Sequence, residues 1–360
     1  GSASFPPPGG GIMKITADDL AATLGSNLLI DRIALYASPK KPLSKNAPGP
    51  SAVPDGMSAV PLMRVDHDND SYLDGNDYLL AWISPASYWQ LKSYLKNPYE
   101  FTPHPYDWYR HYRFTLEDNA ATLQSADLDS TVSVDTVITS VSIPHIDNVS
   151  TIIYDYYTGL DYTTSIESLS LDFSGDASLS RRLFSPGGPN AIGRYELRGL
   201  AGKRCMVMRI HPLDSTIRLL DTIPAATQSF SWIDTTGKGI TYYVCEEEAF
   251  LSCPTLTDPT DNAPGGSYIV SDPRDTAQQT DFCIISHPDF IDAAQRLAAH
   301  KKSIGRFDYP VVVPVDAIFR SFSGGSTDPA AIRNFLVYVL THWRPAVSVD
   351  HVVLFGNGHW

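Results

Sequence analysis

Apolar and polar positions along this chain follow two different rhythms. From about residue 131 to 250 the period is mostly two. Val132 and Val134 alternate with Ser133 and Asp135, and Leu169, Leu171 and Phe173 alternate with Ser170 and Asp172. The segments 205–210 (CMVMRI), 215–220 (STIRLL), 229–233 (SFSWI) and 240–245 (ITYYVC) continue the run, with turn residues between them. A strand points successive side chains to opposite faces, so residues 131–253 are predicted to form an antiparallel β-sandwich.

Upstream, residues 12–130 read as a β-rich N-terminal domain. Thr16 and Asp19 have the spacing of a capping box, Leu20 and Leu24 share one face, and Gly25 marks the exit of a short helix. Residues 30–37 read as a strand and 38–59 as a Pro/Ser/Gly loop. The opening eleven residues, GSASFPPPGGG, read as a tag and a disordered, extended leader.

After a linker-like stretch at 254–279, the rhythm changes. Residues 282–286 (FCIIS) are a short, continuously apolar strand, and Ser286 with Asp289 has capping-box spacing for a helix carrying Phe290, Ala294, Leu297 and Ala298 on one face. Residues 309–319 read as a second buried strand, placed near an edge or bulge by Pro310 and Pro314. Asp328 caps a helix with Pro329 at its first position, and Ile332, Phe335, Leu336, Val339, Leu340 and Trp343 form its apolar face. Residues 351–356 (HVVLFG) read as a third buried strand. Strand–helix–strand–helix–strand predicts a parallel α/β sheet over 280–360. The fold class expected is therefore mixed: a β-rich N-terminal region with an antiparallel sandwich, then part of a parallel α/β sheet.

Composition narrows the function classes. The formal net charge is −13, from 27 basic and 40 acidic residues, which argues against a general nucleic-acid binder. Charged residues are only 19% of the chain while Tyr numbers 19 and Pro 27, a balance that favours exported, strand-rich proteins. No apolar run reaches the ~18 residues of a membrane span. Cys205, Cys245, Cys253 and Cys283 form no CxxC pair, so a zinc ribbon is unsupported. Cys245 and Cys253 have two readings, a bridge in an oxidising compartment or two free thiols.

The sharpest motif is DHDNDSYLDGND at 66–77. Asp66, Asp68, Asp70, Asp74 and Asp77 stand at loop positions one, three, five, nine and twelve, and Tyr72 at position seven offers a backbone carbonyl. Hard cations want several oxygens converging from one loop, and five carboxylates without a cation repel one another. The spacing is similar to the twelve-residue calcium loop of EF-hands and dockerin modules, but Ser71 replaces the usual Gly at position six. Two readings follow: a structural calcium site, or an Asx-turn loop without metal.

The C-terminal block resembles the gingipain family of secreted cysteine peptidases, most of all the sortase-like members that serve the bacterial type IX secretion system. The residues that carry the resemblance are 280–290 (TDFCIISHPDF), 293–305, 311–339 with its FSGG and DPAAIR runs, and 351–359 (HVVLFGNGH). Upstream, 14–22 (KITADDLAA) and the Asp-rich loop followed by 77–82 (DYLLAW) are similar as well. The resemblance implies a caspase-like peptidase domain preceded by β-rich domains, and catalysis by a His acting on a Cys thiolate. In that family the His and Cys follow the region matched by 351–359, so no residue here is assigned as catalytic. The chain, ending at HVVLFGNGHW where a strand hands over to a loop, is expected to be a fragment. Its expected partners are the remainder of the peptidase domain and protein substrates, and its expected location is exported, on the bacterial surface, at the outer membrane or secreted. The alternative function is a non-enzymatic, calcium-stabilised β-sandwich that binds carbohydrate or mediates adhesion.

Other candidates have plain structural readings. Cys283 is expected to be a core thiol, His287 a capping residue, and His359 a loop residue. Gly324 and Gly325 lack the following Lys of a phosphate cradle and read as a loop into the Asp328 cap. The aromatic set at 78–114, including Trp82, Trp89 and Trp108, is expected to pack in the core rather than form a sugar platform. The sequon Asn148-Val149-Ser150 matters only in a glycosylating host.

Overall fold

A computed structural model describes residues 2–5, 11–49, 53–84, 86–91, 99–107, 109–123, 168–172, 181–184, 191–198, 202, 204–211, 216–227, 229–236, 241–256, 264–344 and 348–356. Val132, Val134, the sequon, Trp108 and His359 lie outside these residues. The described residues form a mixed α and β structure with six sheets.

The strands in chain order are β1 (Ser2–Phe5), β2 (Gly11–Thr16), β3 (Ile33–Ala37), β4 (Ser58–Val60), β5 (Leu62–Val65), β6 (Tyr78–Ile83), β7 (Ser87–Leu91), β8 (Tyr99–Pro103) and β9 (Arg110–Leu116). There follow β10 (Ser168–Asp172), β11 (Arg181–Phe184), β12 (Ala191–Arg198), β13 (Cys205–His211), β14 (Thr216–Ile223), β15 (Ser229–Thr236), β16 (Thr241–Glu246) and β17 (Leu251–Ser252). The last three are β18 (Phe282–Ser286), β19 (Pro310–Pro314) and β20 (His351–Phe355). The helices are α1 (Ala17–Leu24), α2 (Ile291–Ser303), α3 (Val315–Phe322) and α4 (Pro329–His342).

Two sheets of the N-terminal region, β1-β9-β3-β4 and β17-β2-β6-β5, face each other. Between them lie Met13, Ile15, Ile33, Leu35, Leu62, Leu79, Ala81, Tyr112 and Phe114, all buried. The second face of β2 and β6 is buried too. Ile12 and Leu80 pack against Met206, Met208, Tyr243 and Cys245 from the sheet β11-β16-β13-β14. That sheet turns Val207, Tyr242 and Val244 the other way, onto Leu197 and Trp232 of β10-β12-β15. Four sheets are thus stacked through three apolar interfaces. A strand buried on both faces needs apolar residues at consecutive positions, which is why 11–16 and 205–210 run almost without polar interruption.

The details depart from the sequence reading in several places. The segment read as a leader pairs antiparallel with β9, from Ser2 opposite Arg113 to Phe5 opposite Arg110. Residues 30–32 form a 3₁₀ turn, and the expected strand begins only at Ile33. The sheet containing β10 is not wholly antiparallel, because β10 and β12 run parallel. The helix at 17–24 forms as expected: the Asp19 carboxylate accepts hydrogen bonds from the Thr16 backbone N–H and hydroxyl, each at 2.8 Å.

The C-terminal sheet is parallel, in the order β19-β18-β20. Phe282, Ile284 and Val312 face α2 through Ile291, Ala294 and Ala298. Cys283, Ile285, Val311 and Val313 face α3 and α4 through Ile318, Phe322, Phe335 and Val339. Pro310 and Pro314 sit on an edge strand, where missing N–H donors cost no ladder bond. The run 309–319 is not one strand. Pro314 ends β19, and Val315, Ile318, Phe319 and Phe322 recur at helical spacing in α3. On α4 the buried face comprises Ala331, Asn334, Phe335, Tyr338 and Val339, whereas Leu340 is 68% exposed. The expected burial of β20 is also corrected: it is an edge strand, with Val352 40% and Leu354 67% exposed. Helices α3 and α4 cover β18 and β19 on that face and leave β20 open. No helix among the described residues is long and apolar enough to cross a membrane.

Candidate functional site

Open α/β sheets bind ligands beyond the carboxyl ends of their strands. Here those ends are occupied by structural contacts. Ser286 is buried, and its hydroxyl donates to the His287 carbonyl at 3.0 Å. The His287 N–H donates to the Phe355 carbonyl at 3.2 Å, and its ring Nδ1 accepts from the Asp289 N–H at 3.3 Å. His287 is therefore a capping residue. Cys283 lies fully buried in β18, and burial pushes its thiol up to about 12. Burial, then the charge of Asp19, pushes Cys253 up to about 12 as well. Neither is the thiolate that a cysteine nucleophile requires at neutral pH. None of the four cysteines is in a disulfide, and Cys245 and Cys253 pack in different apolar clusters. Trp82 is partly buried and meets Tyr243 edge-on at 4.7 Å, a packing role.

The Asp-rich loop is the connection of an antiparallel hairpin, since Val65 of β5 pairs with Tyr78 of β6. Its flanks are strands, unlike the helices of an EF-hand. The hairpin base brings loop positions one and twelve together. Asp66, Asp68, Asp70 and Asp77 each place one carboxylate oxygen within 4.8 Å of the others. Asp66 accepts from the N–H groups of Asn69 (2.7 Å) and Ser71 (3.1 Å), Asp70 from that of Tyr72 (2.7 Å), and Asp68 from that of Asp70 (3.4 Å). Asp77 Oδ1 accepts from the His67 N–H at 2.7 Å, while its buried Oδ2 receives no hydrogen bond. Desolvation, followed by the charge of Asp70, pushes the Asp68 carboxyl above its ordinary value. Among the described residues the one side-chain nitrogen paired with these four carboxylates is His67 Nδ1, 3.5 Å from Asp77 Oδ1 and not from Oδ2.

Ser71 at position six adopts φ 72°, the left-handed conformation for which glycine is usual. The turn is made despite the substitution. Asp74 does not join the four: Leu73 is drawn into the core, and Asp74 lies exposed beyond it with its carbonyl accepting from the Asp77 N–H at 2.7 Å. Tyr72 forms an antiparallel bridge with Leu29, whose bonds run from Ile30 N–H to the Ser71 carbonyl and from Leu73 N–H to the Leu28 carbonyl. The Tyr72 N–H and carbonyl share the other edge of the backbone, facing Asp70.

A third polar constellation joins the N-terminal sheets to the parallel sheet, and sequence reading missed it. Asp328 caps α4 through the Ala330 N–H (2.8 Å) and also accepts from the Leu43 N–H (2.7 Å), 285 residues away. Asp107 accepts from His111 Nε2 and from the Thr327 N–H, each at 2.9 Å. Arg274 donates to the Val53 and Pro54 carbonyls and lies 4.3 Å over the Phe322 ring. Gly324 (φ 64°) and Gly325 (φ 98°) are needed for close approach: a Cβ would stand 2.1 Å from Met57 Sδ at the first and 3.0 Å from His111 Cγ at the second. Gly56 (φ 80°) reciprocates, with a Cβ 2.9 Å from Ser323 Cα. The GG run is a docking surface, and only its φ-permissive composition was visible beforehand.

Comparison with known proteins fits this division. Residues 275–360, which carry the parallel sheet with its helices, match the family described as Peptidase family C25. No curated protein matches the chain. Among solved structures it is similar to the crystal structure of dimeric latent PorU from Porphyromonas gingivalis, with a TM-score of 0.58 at 13% identity. That similarity covers 99% of this chain and 41% of the PorU chain, so this chain spans under half the length of its structural relative. At this identity the likeness is one of fold, and it extends over the stacked sheets as well as the C25 segment.

Proposed function

We propose that the chain is the N-terminal portion of an exported, gingipain-like cysteine endopeptidase or sortase of the type IX secretion type. Its stacked sheets support and shield the peptidase domain, and the catalytic His and Cys lie outside residues 1–360. The observation that carries this reading is the C25 match confined to 275–360, on a segment docked through Asp107, Asp328 and the Gly56–Ser323 contact. Two further facts support it. The cysteines with strongly raised thiols, Cys253 and Cys283, are unsuited to nucleophilic attack. The open edge and face of β20 suit the continuation of a caspase-like sheet, for which 280–360 supplies the first strands.

The test is alkylation mapping on the product of the complete gene. Peptide cleavage is expected to be lost with iodoacetamide, with the modified cysteine outside residues 1–360. Replacing Cys205, Cys245, Cys253 and Cys283 by Ala, singly, should leave the chemistry intact in every variant that folds. Loss of activity that maps to one of these four cysteines would reject the reading.

A further inference from the structure

We propose that the hairpin loop 66–77 binds one divalent cation of the calcium class, held by the carboxylates of Asp66, Asp68, Asp70 and Asp77 and the backbone carbonyl of Tyr72. The inference is independent of the peptidase reading. An Asx-turn loop without metal accounts for part of the geometry, because Asp66, Asp68 and Asp70 each accept N–H groups of the loop itself. It does not account for Asp77. That residue is 4% exposed, its Oδ1 is bonded to the His67 N–H, and its Oδ2 is buried with no hydrogen-bond donor. A carboxylate oxygen withdrawn from water and given no partner is a costly arrangement. Asp77 also belongs to the group in which each carboxylate offers one oxygen within 4.8 Å of the others, which makes a cation the natural partner.

The donor set selects the ion. Every proposed ligand atom is oxygen, which favours a hard cation over zinc or copper. Four carboxylates and a carbonyl on a hairpin loop can supply most of a six- to eight-oxygen shell, with water completing it. Magnesium keeps several waters and demands a tighter octahedron, which this many converging side chains do not suit. The ion would clamp Asp66 to Asp77 across the hairpin base. It would also fix Ser71 and Leu73, whose backbones are bonded to Ile30 and Leu28 beside β3. Calcium should therefore stabilise the hairpin against the sheet it lies on.

Isothermal titration of the chelator-treated chain with calcium chloride, and then with magnesium chloride, tests the site. One calcium per chain is expected, with a Kd of about 10⁻⁴–10⁻³ M, typical of extracellular modules. Excitation of tyrosine should sensitise luminescence from terbium at the same site, through Tyr72 and Tyr78. Asp66→Asn with Asp70→Asn should weaken calcium binding at least about tenfold and abolish the calcium-dependent rise in Tm. Asp77→Asn should do the same, and circular dichroism identifies variants that remain folded. Absence of calcium binding to the folded chain at millimolar ion overturns the proposal. So does binding that the folded Asp66/Asp70 variant retains in full, or an equal response to magnesium.

Discussion

One carboxylate oxygen separates the two readings of the Asp-rich loop. Asp66 and Asp70 are satisfied by backbone N–H groups, as any Asx turn would satisfy them, whereas Asp77 Oδ2 is buried without a donor. The carboxylate spacing was legible because alternate residues of a turning loop point inward. The exclusion of Asp74 was not, since it depends on Leu73 reaching a core assembled from distant strands. Ser71 makes its left-handed turn at a cost that glycine would avoid. Ser71→Gly is expected to stabilise the chain by about 1 kcal/mol in urea unfolding. An unchanged or lowered midpoint would mean that the strain is absorbed elsewhere. At the junction, Gly56→Ala places a Cβ against backbone that cannot swing aside and also strains φ 80°. It should destabilise by about 1–3 kcal/mol. Gly49→Ala, in open space, should change stability by less than about 0.5 kcal/mol. Similar midpoints for the two variants would contradict the docking role of Gly56.

At the scale of elements, short-range signals were readable wherever the chain's own neighbours decide the outcome. The Thr16–Asp19 box, the Asp328–Pro329 helix start and the edge placement of β19 belong to this class. Elements whose character depends on what covers them were not. The apolar run in β13 is explained by burial on two faces, which no local period reveals. Likewise β20 reads as a buried strand because it is apolar, yet Val352 and Leu354 face no helix. Exposed apolar edges invite pairing with other chains. Leu354→Lys is therefore expected to reduce self-association in light scattering while changing stability by less than about 0.5 kcal/mol, as its 67% exposure implies. A marked fall in Tm would show that Leu354 is covered by the chain itself.

In the whole molecule, the loop between β3 and β4 and the residues at the start of β9 grip the loop that joins α3 to α4, and the grip is partly electrostatic. Desolvation tends to raise the Asp107 carboxyl, but hydrogen bonds from His111, Tyr109 and Thr327 outweigh it and hold the group below its ordinary value. A depressed carboxylate adds stability above the unfolded pKa, near 3.9, and that stability is lost as pH falls through the folded value. Acid unfolding should accordingly show a contribution from Asp107 at and below about pH 4 that Asp107→Asn removes. Identical acid profiles would show that the junction does not depend on this charge. In the function proposed above, this chain shapes a C25-type peptidase and the catalytic pair lies outside residues 1–360. The most direct test measures peptide cleavage side by side, by purified residues 1–360 and by the product of the complete gene, each checked for folding. No turnover by 1–360 and thiol-dependent turnover by the complete product are expected. Cleavage by folded 1–360 alone would contradict that function.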